Sequence, residues 1–273
     1  MIRRRTTRSV IFAVGAFLSI AFAAPFGLVL VNSFKPKVEI LKDPLALPIE
    51  FSWENFEKAI EKMNYFQALT NSIIVTVAAV SALILTSSML AYYLARSETK
   101  FSKSTFLILV ASMIVPFQAL MIPFVGMYGW FININEIFSL VVFYIGFGVA
   151  LSTFLYHGFV KTIPRELDEA AAIDGAGDLA IFWRVIFPML GPVTATVAII
   201  NALWIWNDFL LPSLVLSQDT YTLPLSTYLF YGQYAREFGQ AMAGLLLAVV
   251  PIILFYFFLQ KQIVSGIAAG AVK

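Results

Sequence analysis

Long apolar stretches free of Asp, Glu, Lys and Arg recur along this chain, and they constrain it most. A hydrocarbon layer about 30 Å thick takes ~20 such residues per helical crossing. Stretches of this kind occupy residues 10–31, 72–94, 105–130, 137–159, 190–211 and 242–259, with Asp208 the one charged side chain within them. Of 273 residues 60% are hydrophobic and 12% charged, about half the charged share of a soluble domain. The expectation is an all-α polytopic membrane protein with six transmembrane helices. Neither a long repeat nor a low-complexity linker divides it, so residues 1–273 are expected to form a single transmembrane domain.

Arg3, Arg4, Arg5 and Arg8 precede the first stretch as they would in a secretory leader, but that stretch is long for such a leader, and a retained span is expected. Cytoplasmic segments hold the excess of Lys and Arg. With the N-terminus inside, twelve of the eighteen lie on the cytoplasmic side: Arg3, Arg4, Arg5, Arg8, Arg96, Lys100, Lys103, Lys161, Arg165, Arg184, Lys261 and Lys273. Both termini are therefore expected to be cytoplasmic. In the first outer loop, residues 32–71, Ser52 can cap a helix with Phe56, Ala59, Ile60 and Met63 on one face and Glu54, Glu57, Lys58 and Glu61 elsewhere.

Several chemistries are excluded by what the chain lacks. It has no cysteine and one histidine, His157, which removes disulfides, thiolate metal sites, cysteine nucleophiles and paired-histidine ligation. It contains no Gly-x-x-x-x-Gly-Lys-Ser/Thr phosphate loop and no Gly-x-Ser-x-Gly elbow. A formal charge of +2 gives no footprint for nucleic acid. No cofactor, metal or catalytic residue is expected. A proton-coupled carrier usually buries a charge within a span; here Asp208 lies near the outer end of the fifth, so a self-sufficient secondary carrier of a small polar solute is the lesser alternative, and a membrane enzyme a lesser one still.

Residues 161–189 carry the strongest local pattern. Thr162 and Pro164 suit the first turn of a helix, Glu166, Asp168 and Glu169 suit its positive end, and Gly175 suits a left-handed stop. A second short helix is expected from Asp178 to just before Pro188. Two helices around a glycine turn make a compact knob, with Ala170, Ala171 and Ala172 leaving it smooth. The residues fit equally a plug for a partner's groove and an ordinary interfacial connector.

Glu169-Ala170-Ala171, Gly175, Val185 and Phe187-Pro188 together resemble the Glu-Ala-Ala loop of ABC importer permeases, with Val185 where isoleucine is usual and Phe187 where leucine is usual. Asn71-Ser72, Ala91-Tyr92 through Arg96, Ile163-Pro164, Ala172-Ile173-Asp174-Gly175, Trp206-Asn207-Asp208 and Gly270-Ala271-Val272-Lys273 are similar to the carbohydrate-importing branch, in particular the maltose-type smaller permease. The resemblance runs from about Phe51 to the C-terminus. It implies the ABC importer permease fold and a membrane subunit of an ATP-driven, binding-protein-dependent importer of a di- or oligosaccharide. It implies Glu169, Ala170, Ala171, Asp174, Gly175 and Pro188 as the surface coupled to the ATPase. It also implies the partners: a second homologous permease, two cytoplasmic ATPase subunits that hydrolyse ATP, and an extracytoplasmic solute-binding protein, all at the cytoplasmic membrane of a bacterium or archaeon.

Pro116 and Pro123 interrupt the third stretch and Pro251 the sixth, as hinges or as fixed kinks. Gln118 between the first two either satisfies a freed carbonyl or lines a cavity. His157 is expected as an interfacial hydrogen-bonding residue. Thr194, Asn201 and Asp208 recur every seven residues and Trp204 follows Asn201 by three, so the four share a helical face. That polar stripe is expected to face the bundle interior, either as a substrate path, in which Asn201 and Trp204 contact sugar, or as an interface with the second permease. Asp208 and Trp206, nearer the outside, are read as docking or anchoring residues. The topology predicts that single cysteines at Ser52 and Gln218 react with an impermeant reagent in intact cells, and that cysteines at Ser102 and Ala176 react only after the membrane is opened; external labelling at Ala176 would overturn it.

Overall fold

Where the sequence runs uncharged and without proline for more than twenty residues, the chain is one unbroken helix. The computed structural model describes residues 2–128, 137–230 and 237–271, with side chains described within 11–127, 137–230 and 237–257. In chain order the helices are α1 (Ile2–Ser33), α2 (Lys37–Lys42), α3 (Glu54–Lys62), α4 (Tyr65–Arg96), α5 (Lys100–Ser112), α6 (Phe117–Tyr128) and α7 (Ile137–Val160). They continue as α8 (Glu166–Ile173), α9 (Asp178–Ile181), α10 (Phe187–Met189), α11 (Gly191–Asn207), α12 (Leu210–Val215), α13 (Leu223–Ser226) and α14 (Phe238–Ala271), with no strand among the described residues. Ile11–Ser33 of α1, α4, α7 and Phe238–Phe257 of α14 are each long and apolar enough to cross a membrane; six crossings result if each of two bent pairs counts as one.

The bent pairs show where the simple six-span expectation meets backbone chemistry. The stretch expected as one span at 105–130 is α5 followed by Phe117–Met127 of α6 at 104°, with residues 129 and 130 outside the described set. Pro116 has no amide to donate and disfavours helix at the residue before it. The amides of Met113, Ile114 and Val115 turn instead to the carbonyls of Val110, Ala111 and Ser112, tightening the end of the turn, and Ala119 restarts the helix on the Pro116 carbonyl at 3.0 Å. Pro123 and Pro251, by contrast, lie inside α6 and α14 without ending them. The fifth stretch, expected at 190–211, is α11 followed by a separate α12, and α11 meets Asp178–Met189 at 77°.

The chain divides into two units, residues 1–66 with 226–251 and residues 67–225 with 252–273. In the first, the turn after α1 is fixed by buried polar groups. Asn32 donates to the carbonyls of Leu28 and Pro44, both at 2.9 Å, and the buried Lys35 ammonium donates to the Asp43 carbonyl at 3.0 Å. Asn55 donates to the Ser33 and Lys35 carbonyls. Gly239 leaves room for it, because a Cβ there would stand 2.5 Å from Asn55 Nδ2. Trp53, not Ser52, stands at the N-cap of α3; the Ser52 hydroxyl one position earlier accepts from Glu54 N at 3.2 Å, and within and just after the helix Ala59 and Met63 are buried while Glu54, Glu57, Lys58 and Glu61 are exposed. That is the face expected from their spacing.

In the second unit α4, α7, α11 and α12 enclose a core that includes Leu83, Leu140, Tyr144, Ile205 and Leu211. A second cluster, with Tyr156, Val160, Phe182, Ile186 and Leu190, packs the opposite part of α4 and α7 against the segment leading into α11. Gly148 lets three helices approach: a Cβ there would lie 2.7 Å from Leu83 Cδ1 on α4 and 3.2 Å from Asn201 Oδ1 on α11. Gly148→Val should overpack this junction at a cost of about 1–3 kcal/mol, read as a lower melting temperature of the purified protein in detergent, with a smaller drop for Gly148→Ala. An unchanged melting temperature for the valine variant would refute the close packing.

Candidate functional site

Two places in the second unit collect the residues that the sequence singles out. The first is the knob. α8 begins after Arg165 rather than at Thr162, whose hydroxyl donates to the Phe159 carbonyl at 2.8 Å and so finishes α7 instead. Gly175 has φ +83°; its amide donates to Ala172 and that of Ala176 to Ala171. These are the paired bonds of a Schellman stop, for which the left-handed glycine is suited. The chain then reverses into α9. The second helix does not end before Pro188: it widens into a π-turn over Phe182–Ile186, where Phe187 N reaches the Phe182 carbonyl, and continues to Met189.

Glu169, Ala170, Asp174, Gly175 and Pro188 are exposed, and Ala171 is half-buried. Sequence reasoning missed the apolar tip around them, in which Ile173 is 87% exposed and Leu179 65%. It also missed what holds the knob. Asp168, read only as an acid suited to a helix start, accepts from the Tyr92 hydroxyl at 2.6 Å and from Arg96 Nη2 at 2.7 Å, while Arg96 also donates to the Ile163 carbonyl at 3.2 Å. The signal was present in the Ala91-Tyr92 to Arg96 motif, whose polar members belong to the end of α4 and whose partner lies 72 residues onward.

The second place is the face of α11. Its polar stripe meets α7 of the same chain. The Tyr156 hydroxyl donates to Thr194 Oγ1 at 3.0 Å; Asn201, 1% exposed, donates to Ser152 Oγ at 3.0 Å and to the Val197 carbonyl at 2.8 Å. Trp204 stands edge-on to Tyr144, ring centres 5.5 Å apart, and Asp208 Oδ2 accepts from the Tyr144 hydroxyl at 2.9 Å. Asp208 ends α11 in extended conformation, and its Oδ1 accepts from Leu210 N at 3.0 Å to start α12.

Trp204 and Asp208 also line a cavity of about 540 Å³, with Ser112, Gln118, Gly146 and Leu210 among the other walls, within the range usual for small-molecule sites. Thr194 and Asn201 do not reach it. Gln118 takes the cavity-lining role of its two alternatives. Trp206, expected outward as an anchor, is buried. His157, in the last turn of α7, is buried with its ring stacked on that of Phe106, centres 3.8 Å apart.

A helical membrane protein with an exposed, anchored knob and a largely apolar cavity into which Ser112, Gln118, Trp204 and Asp208 bring polar groups is the class this geometry defines. A family model described as the binding-protein-dependent transport system inner membrane component matches residues 84–268, and the chain belongs to that family. It is 42% identical to the probable starch degradation products transport system permease protein AmyC of Thermoanaerobacterium thermosulfurigenes, over 95% of each chain. It is 35% identical to the melibiose/raffinose/stachyose import permease protein MelC of Bacillus subtilis, over 99% of this chain and 98% of the other. In fold it is similar to a chain from the crystal structure of a bacterial ABC transporter involved in the import of the acidic polysaccharide alginate, with TM-score 0.81, 20% identity and 94% and 96% of the two chains covered. The chain is thus a multi-pass inner-membrane permease subunit of an ABC importer and not an enzyme; ATP is hydrolysed by a partner ATPase. Such a permease works with a second permease, an ATPase and a solute-binding protein.

The Arg96–Asp168 pair, 16% and 17% exposed, should be worth more than a surface ion pair. Asp168→Ala is expected to cost about 1–3 kcal/mol, and Arg96→Ala with Asp168→Ala together less than the sum of the two singles. A melting-temperature cycle on the purified permease checks this, and strict additivity would refute the pairing.

Proposed function

We propose that residues 1–273 act as a single permease domain with both termini cytoplasmic, moving a di- or oligosaccharide inward together with a second homologous permease, two ATPase subunits and an extracytoplasmic solute-binding protein. Relatives named for starch degradation products and for melibiose, raffinose and stachyose support the sugar class. A self-sufficient carrier has no support from any of these relatives.

The observation that carries the coupling assignment is the exposed tip at Ile173, Gly175 and Leu179, held on a knob whose base is fixed by Arg96 and Asp168. A rigid base transmits a push, and an exposed apolar tip is a docking surface. Glu169, Ala170, Ala171, Asp174, Gly175 and Pro188 form the surface seated on the ATPase. For the path, Trp204 and Asp208 meet the sugar in the cavity, since an indole face stacks on the apolar face of a sugar ring and a carboxylate accepts from hydroxyls, while Thr194 and Asn201 hold that stretch of α11 to α7.

Gly175→Val forces a branched residue into the left-handed region, and Glu169→Lys puts a positive charge in the first half of α8. Both should leave membrane insertion intact while lowering co-purification of the ATPase, or sugar-stimulated ATP hydrolysis, several-fold. Ile173→Asp should do the same at the apolar tip. Wild-type co-purification and stimulated hydrolysis in all three would reduce the knob to a connector.

A further inference from the structure

Tyr144 lies in an apolar run of α7, yet it touches both cavity-facing groups of α11 and its C-cap, Trp204 and Asp208. It sits on α7 with 0% exposure. A buried phenol needs an acceptor for its hydroxyl, and Asp208 Oδ2 supplies one at 2.9 Å. The ring of the same residue meets the Trp204 ring at 84° with centres 5.5 Å apart, an edge-to-face geometry that aromatic pairs prefer. Asp208 cannot swing away, because its other oxygen is held by Leu210 N at 3.0 Å. Tyr144 is not among the cavity's lining residues, whereas Trp204 and Asp208 both are.

We propose that Tyr144 is a positioning residue of the sugar path: its hydroxyl sets the Asp208 carboxylate and its ring edge sets the Trp204 indole, so that a hydrogen-bond acceptor and a stacking face present themselves to the same neutral sugar ring. This rests on the reading that the cavity belongs to the path. Two groups fixed by one buried side chain form a recognition pair of constant spacing. That pair discriminates between sugars by where a hydroxyl lies relative to the ring's apolar face. Loss of the tyrosine hydroxyl therefore changes discrimination, and does more than lower activity. Removing only that hydroxyl leaves the ring in its packing, so Tyr144→Phe separates positioning from folding.

The test uses the whole importer, with its ATPase, second permease and solute-binding protein, reconstituted in vesicles, and measures inward transport of maltotriose and of raffinose per ATP hydrolysed at saturating binding protein. Trp204→Ala and Asp208→Ala report on the cavity itself. The expected result is that Tyr144→Phe assembles normally, lowers transport of the better sugar about tenfold, as loss of a hydrogen bond to a charged group can, and shifts the maltotriose-to-raffinose ratio in the same direction as Asp208→Ala. The double variant Tyr144→Phe/Asp208→Ala should be no worse than Asp208→Ala alone. Wild-type transport in Tyr144→Phe beside impaired Trp204→Ala and Asp208→Ala would overturn the positioning role and leave the cavity reading standing. An equal fall for both sugars with an additive double variant would overturn it as a merely structural effect. Wild-type transport in Trp204→Ala and Asp208→Ala would remove the cavity from the path, and the role of Tyr144 with it.

Discussion

An amide or carbonyl in hydrocarbon must find its partner within its own segment or its immediate neighbours, and the rest of this structure depends on how that demand is met where helices break. After α5, the tightened turn over Met113–Val115 satisfies the amides that Pro116 interrupts. After α11, the Asp208 carboxylate takes the first amide of α12. On the exposed knob, outside the apolar stretches, the left-handed Gly175 closes the paired bonds of the Schellman stop after α8. Two of these three breaks, those at Met113–Val115 and at Asp208, line one cavity. That is the arrangement expected if irregular backbone in a membrane protein is tolerated where it borders protein or a wet cavity.

Polar side chains and one glycine provide close approach where leucine packing alone would not specify it. Along α7, Tyr144, Gly148, Ser152 and Tyr156 fall every fourth residue, and opposite them lie Asp208, Asn201 and Thr194 on α11 and its cap. Small residues let backbones approach and interhelical hydrogen bonds fix register where there is little hydrophobic difference between a helix and lipid. The same seam is dry at Asn201 and open at Trp204, 1% against 40% exposed. One stripe therefore serves packing at one end and the cavity at the other.

Much of this was legible in local chemistry. The left-handed glycine at 175, the face of α3 and the inward turn of the polar stripe on α11 follow from residue spacing, because caps and periodicity act over three or four residues. What was not legible depends on distant partners or on geometry. Asp168 reads as a helix-start acid until Arg96 is brought to it from 72 residues away. Pro116 announces a break but not an angle of 104°, which is set by what packs on either side. The continuation of the second knob helix through Pro188 needs a π-turn, and a π-turn has no residue signature of its own. Tyr144 lies in an apolar run and looks like any core aromatic until Asp208 stands opposite its hydroxyl.

These placements also define how the knob and the cavity are linked. From the exposed Leu179 the chain runs through α9, the π-turn and α10, bends by 77°, and becomes α11, with Trp204 and Asp208 at its far end. Phe182, Ile186 and Leu190 along this route are buried in the cluster that holds Tyr156 of α7. The opposite side of the knob is tied by Asp168 to Arg96 at the end of α4. A load applied at the tip is thus divided between two helices that both pack on α7. Packed interiors shift between discrete arrangements more readily than they deform continuously. The bend before α11 is then the natural place for such a shift: the backbone departs from a straight α-helix twice on this route, at the π-turn over Phe182–Ile186 and at the 77° bend, and the seam beyond ends in the groups that face the cavity.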